Sequence, residues 1–123
     1  MRIQESAENY LETILIIKKR RGQVRAIDIV NELSFSKPSV SIAMKNLRLN
    51  GYIDVDANGN IELLEQGRLI AEKIYERHTL LTRWLTALGV NPQTAAEDAC
   101  RIEHVISEET FEALKAYAAK QSS

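Results

Sequence analysis

A single cysteine, Cys100, rules out an intramolecular disulfide, so the expected home of the chain is a reducing cytoplasm. Glycine and proline are scarce, at five and two residues, which favours helices over a sandwich punctuated by turns. Aromatic residues are few. No apolar run approaches the roughly 18 residues of a membrane helix, and Met1–Ser6 lacks the apolar core of a signal peptide. No membrane partner is expected. Repeats and low-complexity segments are absent as well.

What is present is one ordinary domain's worth of chain, 123 residues, with 45% hydrophobic residues to build an interior. The net charge of −1 conceals a division. Residues 1–55 carry nine Lys/Arg against six Asp/Glu, and residues 56–123 carry seven against eleven. A basic front and an acidic back suit one half facing a polyanion and the other holding cations or a partner.

Helical periodicity runs through Tyr10, Leu11, Ile14, Leu15 and Ile17, with Ser6 as cap and Gly22 as stop, giving a first helix over 6–21. Its last turn, Lys18 to Arg21, reads as a solvated helix end that would also suit a phosphate-facing rim. A short helix over 26–33 follows, with Ile27, Val30 and Leu33 expected inward. A tight turn then leads to a helix over about 38–50 that buries Val40, Met44 and Leu47 and exposes Ser39, Ser41, Ile42, Lys45 and Arg48. Pro38 fits its first turn and Asn50-Gly51 its end. Alternation in Tyr52–Val55, an Asn58-Gly59 two-residue turn and Ile61–Leu63 predict a hairpin. Two helices joined by a tight turn, then a hairpin, form a winged helix-turn-helix. The second helix begins with small polar and cationic residues, as a helix that meets phosphate and base edges requires.

A long amphipathic helix is expected from Glu65 to Leu88, with Leu69, Ile70, Ile74, Leu80, Leu81, Trp84 and Leu85 apolar. Asn91-Pro92 starts another helix and Ser107 caps a last one through Phe111, Leu114 and Tyr117, leaving 120–123 as a frayed tail. Cys100, Glu103 and His104 lie at i, i+3 and i+4, one helical face, and thiolate, carboxylate and imidazole all bind divalent transition metals. By themselves the three are more simply read as a half-buried cysteine beside an exposed Glu-His pair.

With the winged helix in front and Asp98-Ala99-Cys100-Arg101-Ile102-Glu103-His104-Val105 behind, the chain resembles the diphtheria-toxin-repressor/manganese-transport-regulator family of metal-dependent repressors. Glu8-Asn9-Tyr10-Leu11-Glu12, Ser36-Lys37-Pro38-Ser39-Val40-Ser41 and Arg77-His78 carry the same resemblance, which covers essentially the whole chain. It implies a mainly α fold: a winged helix-turn-helix over 1–64, then an all-helical metal-binding and dimerisation region over 65–123. The chain is expected to be a short form that stops before the SH3-like domain of larger members. The resemblance also implies a metal site in which His78, Cys100, Glu103 and His104 are ligands, joined by Asn9 and Glu12 from the first helix. Cys100 is the iron-type choice and Glu12 the manganese-type one, while Asn9 offers only a neutral carbonyl oxygen. Fe²⁺ is the expected metal and Mn²⁺ the next, with Co²⁺, Ni²⁺ or Zn²⁺ able to substitute in vitro.

The function expected is that of a homodimeric repressor whose binding to a palindromic double-stranded operator is switched on by the metal. Ser36, Lys37, Pro38, Ser39, Ser41 and Lys45, with Asn58 at the wing tip, are the expected DNA contacts. A metal-independent winged-helix regulator responding to a small molecule is the alternative. An enzyme is not expected, nor a small organic substrate: Cys100 and His104 share a helix face, and no third orienting group or oxyanion loop accompanies them.

Overall fold

The computed structural model describes residues 5–122 and contains six helices and one two-stranded sheet. The chain divides into two compact units, one ending at Glu72 and the other beginning at Lys73, so the boundary falls inside a helix. No helix among the described residues is long and apolar enough to cross a membrane.

In the first unit, α1 (Glu5–Arg21) packs on α2 (Ala26–Leu33), α3 (Lys37–Leu49) and the strand β2 (Ile61–Leu63). Ser6 therefore lies inside α1 rather than capping it. Leu11, Ile14 and Ile17 form its buried row, spaced by three, as one helix face requires. Helix α2 is phased differently from expectation. Ile29 is fully buried and Ile27 is exposed, because residues two apart on a helix point to nearly opposite sides. Ser34 ends α2 in the left-handed conformation and donates its N–H to the Val30 carbonyl, which makes the turn into α3 tight. Phe35 in that turn meets Tyr10 of α1 edge to face, with centroids 5.9 Å apart.

Helix α3 buries Val40, Met44 and Leu47, as its periodicity predicts. Strand β1 (Ile53–Val55) then pairs antiparallel with β2, Ile53 opposite Leu63 and Val55 opposite Ile61. Five residues separate the strands, so Asn58-Gly59 is not a two-residue hairpin turn. The Asp56 N–H donates to the Asn60 carbonyl and the Gly59 N–H to the Asp56 carbonyl, and Gly59 takes φ +83. That is a longer wing, closed by a left-handed glycine. The Ile61 N–H donates to the Val24 carbonyl at 2.8 Å and ties the wing to the α1–α2 connection. Three cations at the end of α1 pair with carboxylates at the exposed surface: Lys18 with Glu62, Arg20 with Glu32 at 2.7 Å and Arg21 with Asp28 at 3.2 Å.

Helix α4 (Glu65–Ala87) starts in the first unit and continues through the second. Ile74 and Leu81 of its expected apolar stripe are buried, whereas Leu69 is 54% exposed and Ala71, not in that stripe, is fully buried. In the second unit α4 is joined by α5 (Pro92–Ile102) and α6 (Glu108–Ser122). Asn91 accepts the Gln93 N–H and Ser107 the Thr110 N–H, so both predicted caps form. Ion pairs of Lys73 with Glu108 at 2.7 Å and Glu76 with Lys115 at 3.3 Å join α4 to α6. Residues 120–122, expected as a frayed tail, are helical, and Ser123 lies outside the described residues.

Candidate metal centre

Small residues set up the site. On α5, Ala95 and Ala99 are fully buried, and the next position in that row, Glu103, has no exposed surface at all. The spacing of four keeps all three on one side of the helix. Cys100 stands one residue round from Ala99, about 100° away, and is exposed. The inward row is thus 95-99-103, and the cysteine does not share the burial of Glu103.

Helix α5 also ends sooner than a continuous Cys-Glu-His face would require. Glu103 is its cap, still close to helical at φ −58, ψ −25, and its N–H donates to the Ala99 carbonyl at 2.9 Å. His104 follows in a turn, where the Val105 and Ile106 N–H groups both donate to the Ile102 carbonyl. The turn brings the imidazole back over its neighbour. His104 Nε2 lies 3.4 Å from Glu103 Oε1, and the His104 side chain is 3% exposed.

The third member comes from α4. His78 stands one turn after Ile74 and one before Leu81, both buried, so it extends an inward row. Its Nδ1 lies 2.9 Å from Glu103 Oε2. One buried carboxylate is therefore flanked by imidazole nitrogens on both oxygens, and Oε1 accepts no hydrogen bond among the described residues. A buried carboxyl oxygen without a donor is costly for folding alone. Two imidazoles and a carboxylate are also a donor set for a divalent first-row metal. The residues fit such an ion.

Arg77 was not among the expected functional residues. It is 7% exposed, and its Nη1 donates to the carbonyls of Glu103 at 3.1 Å and Ile106 at 2.9 Å. Its guanidinium sits 5.4 Å from the Phe111 ring centroid. The turn carrying Glu103 and His104 is held from behind. An arginine three residues after buried Ile74 and four before buried Leu81 was the signal available in the sequence.

The remaining expected ligands, Asn9 and Glu12, lie on α1 in the first unit, where Glu12 is buried and Asn9 half-buried. The expected DNA contacts are all in that unit and all exposed. Ser36 caps α3: its hydroxyl oxygen accepts the Ser39 N–H at 3.2 Å, and its O–H donates to the Ser39 hydroxyl at 2.8 Å. Lys37, Pro38, Ser39, Ser41 and Lys45 follow on the outer side, and Asn58 sits in the wing loop.

Comparison with known families decides the assignment. The model of the iron dependent repressor N-terminal DNA binding domain matches residues 2–60, and that of the iron dependent repressor metal binding and dimerisation domain matches residues 64–121. The chain belongs to the iron-dependent repressor family. Within reach of this family, the transcriptional regulator MntR of Escherichia coli is 32% identical over 117 residues, 95% of this chain and 76% of that one. An HTH-type transcriptional regulator of Methanocaldococcus jannaschii is 32% identical over 120 residues and is covered over 96% of its length. Among solved structures, the manganese regulator SloR has a TM-score of 0.80 at 26% identity, over 92% of this chain and 53% of that one. T. acidophilum IdeR shares the fold, with a TM-score of 0.80 at 22% identity. The chain spans about half the length of these two solved relatives.

Proposed function

We propose that the chain is a divalent-metal-dependent DNA-binding repressor that controls metal homeostasis genes and acts as a homodimer on palindromic operators. The observation that carries this reading is the buried Glu103 carboxylate set between His78 and His104, in the segment that matches a metal binding and dimerisation domain. The ion would be held by His78, Glu103 and His104, with Asn9, Glu12 and Cys100 added to the set on the family's pattern. It supplies a fixed positive charge that the apo-protein lacks. Arg77 orients the turn beneath it.

Fe²⁺ or Mn²⁺ is the proposed metal. The exposure of Cys100 weakens the argument for a soft ion, since the three assembled donors are two imidazoles and a carboxylate, which suit both metals. The homodimer is supported by the second unit's own surface: Trp84, Leu88 and Tyr117 line a groove of about 560 Å³, and Leu88 and Tyr117 are 64% and 55% exposed. In the first unit, the exposed polar entry to α3 supports phosphate and base contacts by Ser36, Lys37, Pro38, Ser39, Ser41 and Lys45, and the wing by Asn58. A regulator of this kind works in the cytoplasm and is not an enzyme; its partners are DNA and its own copy rather than an organic substrate.

For the metal to act as a switch it must bind the DNA-competent arrangement more tightly than the idle one. A tenfold change in operator affinity needs about 1.4 kcal/mol of such coupling. The test is an anaerobic metal titration of apo-protein, read by binding to its own upstream DNA. Tight binding that appears with Fe²⁺ or Mn²⁺ and disappears in His104→Ala supports the proposal. Equal binding with chelator and with metal sinks it.

A further inference from the structure

Helix α3 exposes two large apolar side chains, Leu49 at its very end and Ile42 in its middle, and the second is one that folding does not account for. Val40 and Met44 are 1% and 6% exposed, and Ile42, two residues from each, is 62% exposed. Two residues are about 200° of helical rotation, so Ile42 stands on the side opposite the core. One turn before it on the same side are Pro38 and Ser39, and one turn after it are Lys45 and Asn46, all exposed. A β-branched residue is a mediocre helix former and buries little here, so Lys, Gln or Ala would serve the helix better. Scattered exposed hydrophobes are ordinary. This one is the apolar centre of a polar and cationic face, on the second helix of a helix-turn-helix.

The major-groove edges of the bases offer one apolar group, the C5-methyl of thymine. Isoleucine has no donor or acceptor, so it cannot read the hydrogen-bonding pattern of any base. Its χ1 is already restricted on a helix, so packing it on a methyl group costs little side-chain entropy. We propose that Ile42 is a specificity-determining residue that reads thymine by packing on its C5-methyl, once in each operator half-site. The inference rests on the repressor reading above and goes further, to the base chemistry that the operator must present.

The experiment uses the full chain loaded with Mn²⁺. A duplex is enriched from a random library, and each thymine of its half-site is then replaced singly by deoxyuridine, which removes the methyl group and nothing else. Wild-type protein should lose about fourfold in affinity at one thymine, the worth of roughly one buried methylene. Ile42→Ala should bind more weakly to the thymine duplex and make no distinction between thymine and deoxyuridine there. Its salt dependence should be unchanged, since no charge is altered. Indifference of the wild type to deoxyuridine at every position overturns the inference, and so does full discrimination by Ile42→Ala. Failure to enrich any duplex with metal present overturns the repressor reading itself. Because Ile42 is exposed, the variant should melt with the wild type.

Discussion

Arg77 and Glu103 are joined through the main chain: the guanidinium donates to the Glu103 carbonyl oxygen at 3.1 Å, while the Glu103 carboxylate faces His78 and His104. The positive charge fixes the backbone and leaves the acidic side chain to the imidazoles. A second bond, to the Ile106 carbonyl at 2.9 Å, grips the far end of the same turn. Residues 103–106 are thus set before any ion arrives.

Arg77→Met should therefore destabilise the apo-protein. Two carbonyls would lose their donor, each at a cost of roughly 1–3 kcal/mol when buried, so a loss of about 2–6 kcal/mol is expected. Urea unfolding of chelator-treated protein measures it. An unchanged midpoint would mean that the turn is held by something other than Arg77.

Glu103→Gln separates folding from function. The amide keeps the shape of the side chain and removes the acid, so the fold no longer has to bury a group that can carry a charge. The apo-protein should unfold at the same or a higher midpoint, whereas metal affinity should drop by about 100-fold or more, beyond the loss typical of outer-shell substitutions. Cys100→Ala should cost less affinity than His104→Ala, because the thiol is exposed and the imidazole is assembled against the carboxylate. Calorimetric titration with Mn²⁺ gives the order; equal losses for the two would put Cys100 on the same footing as the buried ligands.

Much of this architecture is legible in the residues. The stripe of α1, the burial of Val40, Met44 and Leu47 in α3 and the caps at Asn91 and Ser107 follow from periodicity and local hydrogen bonding, and the structure has them. Where periodicity admits two phases, the sequence misleads: α2 turns Ile29 inward, and α5 turns the Ala95–Ala99–Glu103 row inward in place of one through Cys100. A helix face is chosen by what packs against it, which no local pattern states. Asp56 and Arg77 were missed for a related reason. Each acts on backbone groups, Asp56 within its loop and Arg77 across the fold, and backbone geometry has no letter in the sequence.

Gly67, in the first turn of α4, is required by close approach. A Cβ at this position would lie 2.2 Å from the Tyr52 carbonyl oxygen, which also accepts the Leu64 N–H at 3.0 Å. Gly67→Ala gains about 1 kcal/mol in helix propensity but must push backbone away, an overpacking cost of roughly 1–3 kcal/mol or more. The clash is with a main-chain atom at the base of the wing, so the balance should be destabilising. A lower melting temperature is expected; a higher one would show that α4 shifts freely at its start.

The wing loop should be sensitive to acid. The Asp56 carboxylate accepts the N–H groups of Asn60 at 2.9 Å and Asn58 at 2.8 Å. Chiefly the bond from Asn60, then that from Asn58, with Arg25 adding a favourable charge, holds its pKa below the ordinary carboxylate value. A pKa lowered on folding contributes stability above the unfolded value, and that contribution is lost as pH falls through the folded one. The wing should therefore be ordered at neutral pH and loosen only below the ordinary titration range of aspartate. Carbon-detected NMR titration of the Asp56 carboxyl, with the Asn58 and Asn60 amides followed in parallel, checks this. All three should move together at one depressed midpoint, and in Asp56→Ala the amide shifts should lose that transition. A midpoint at the unperturbed value would mean that the carboxylate does not hold the loop, and that Asn58 is presented by the Gly59 turn and the Asp56–Asn60 backbone bond alone.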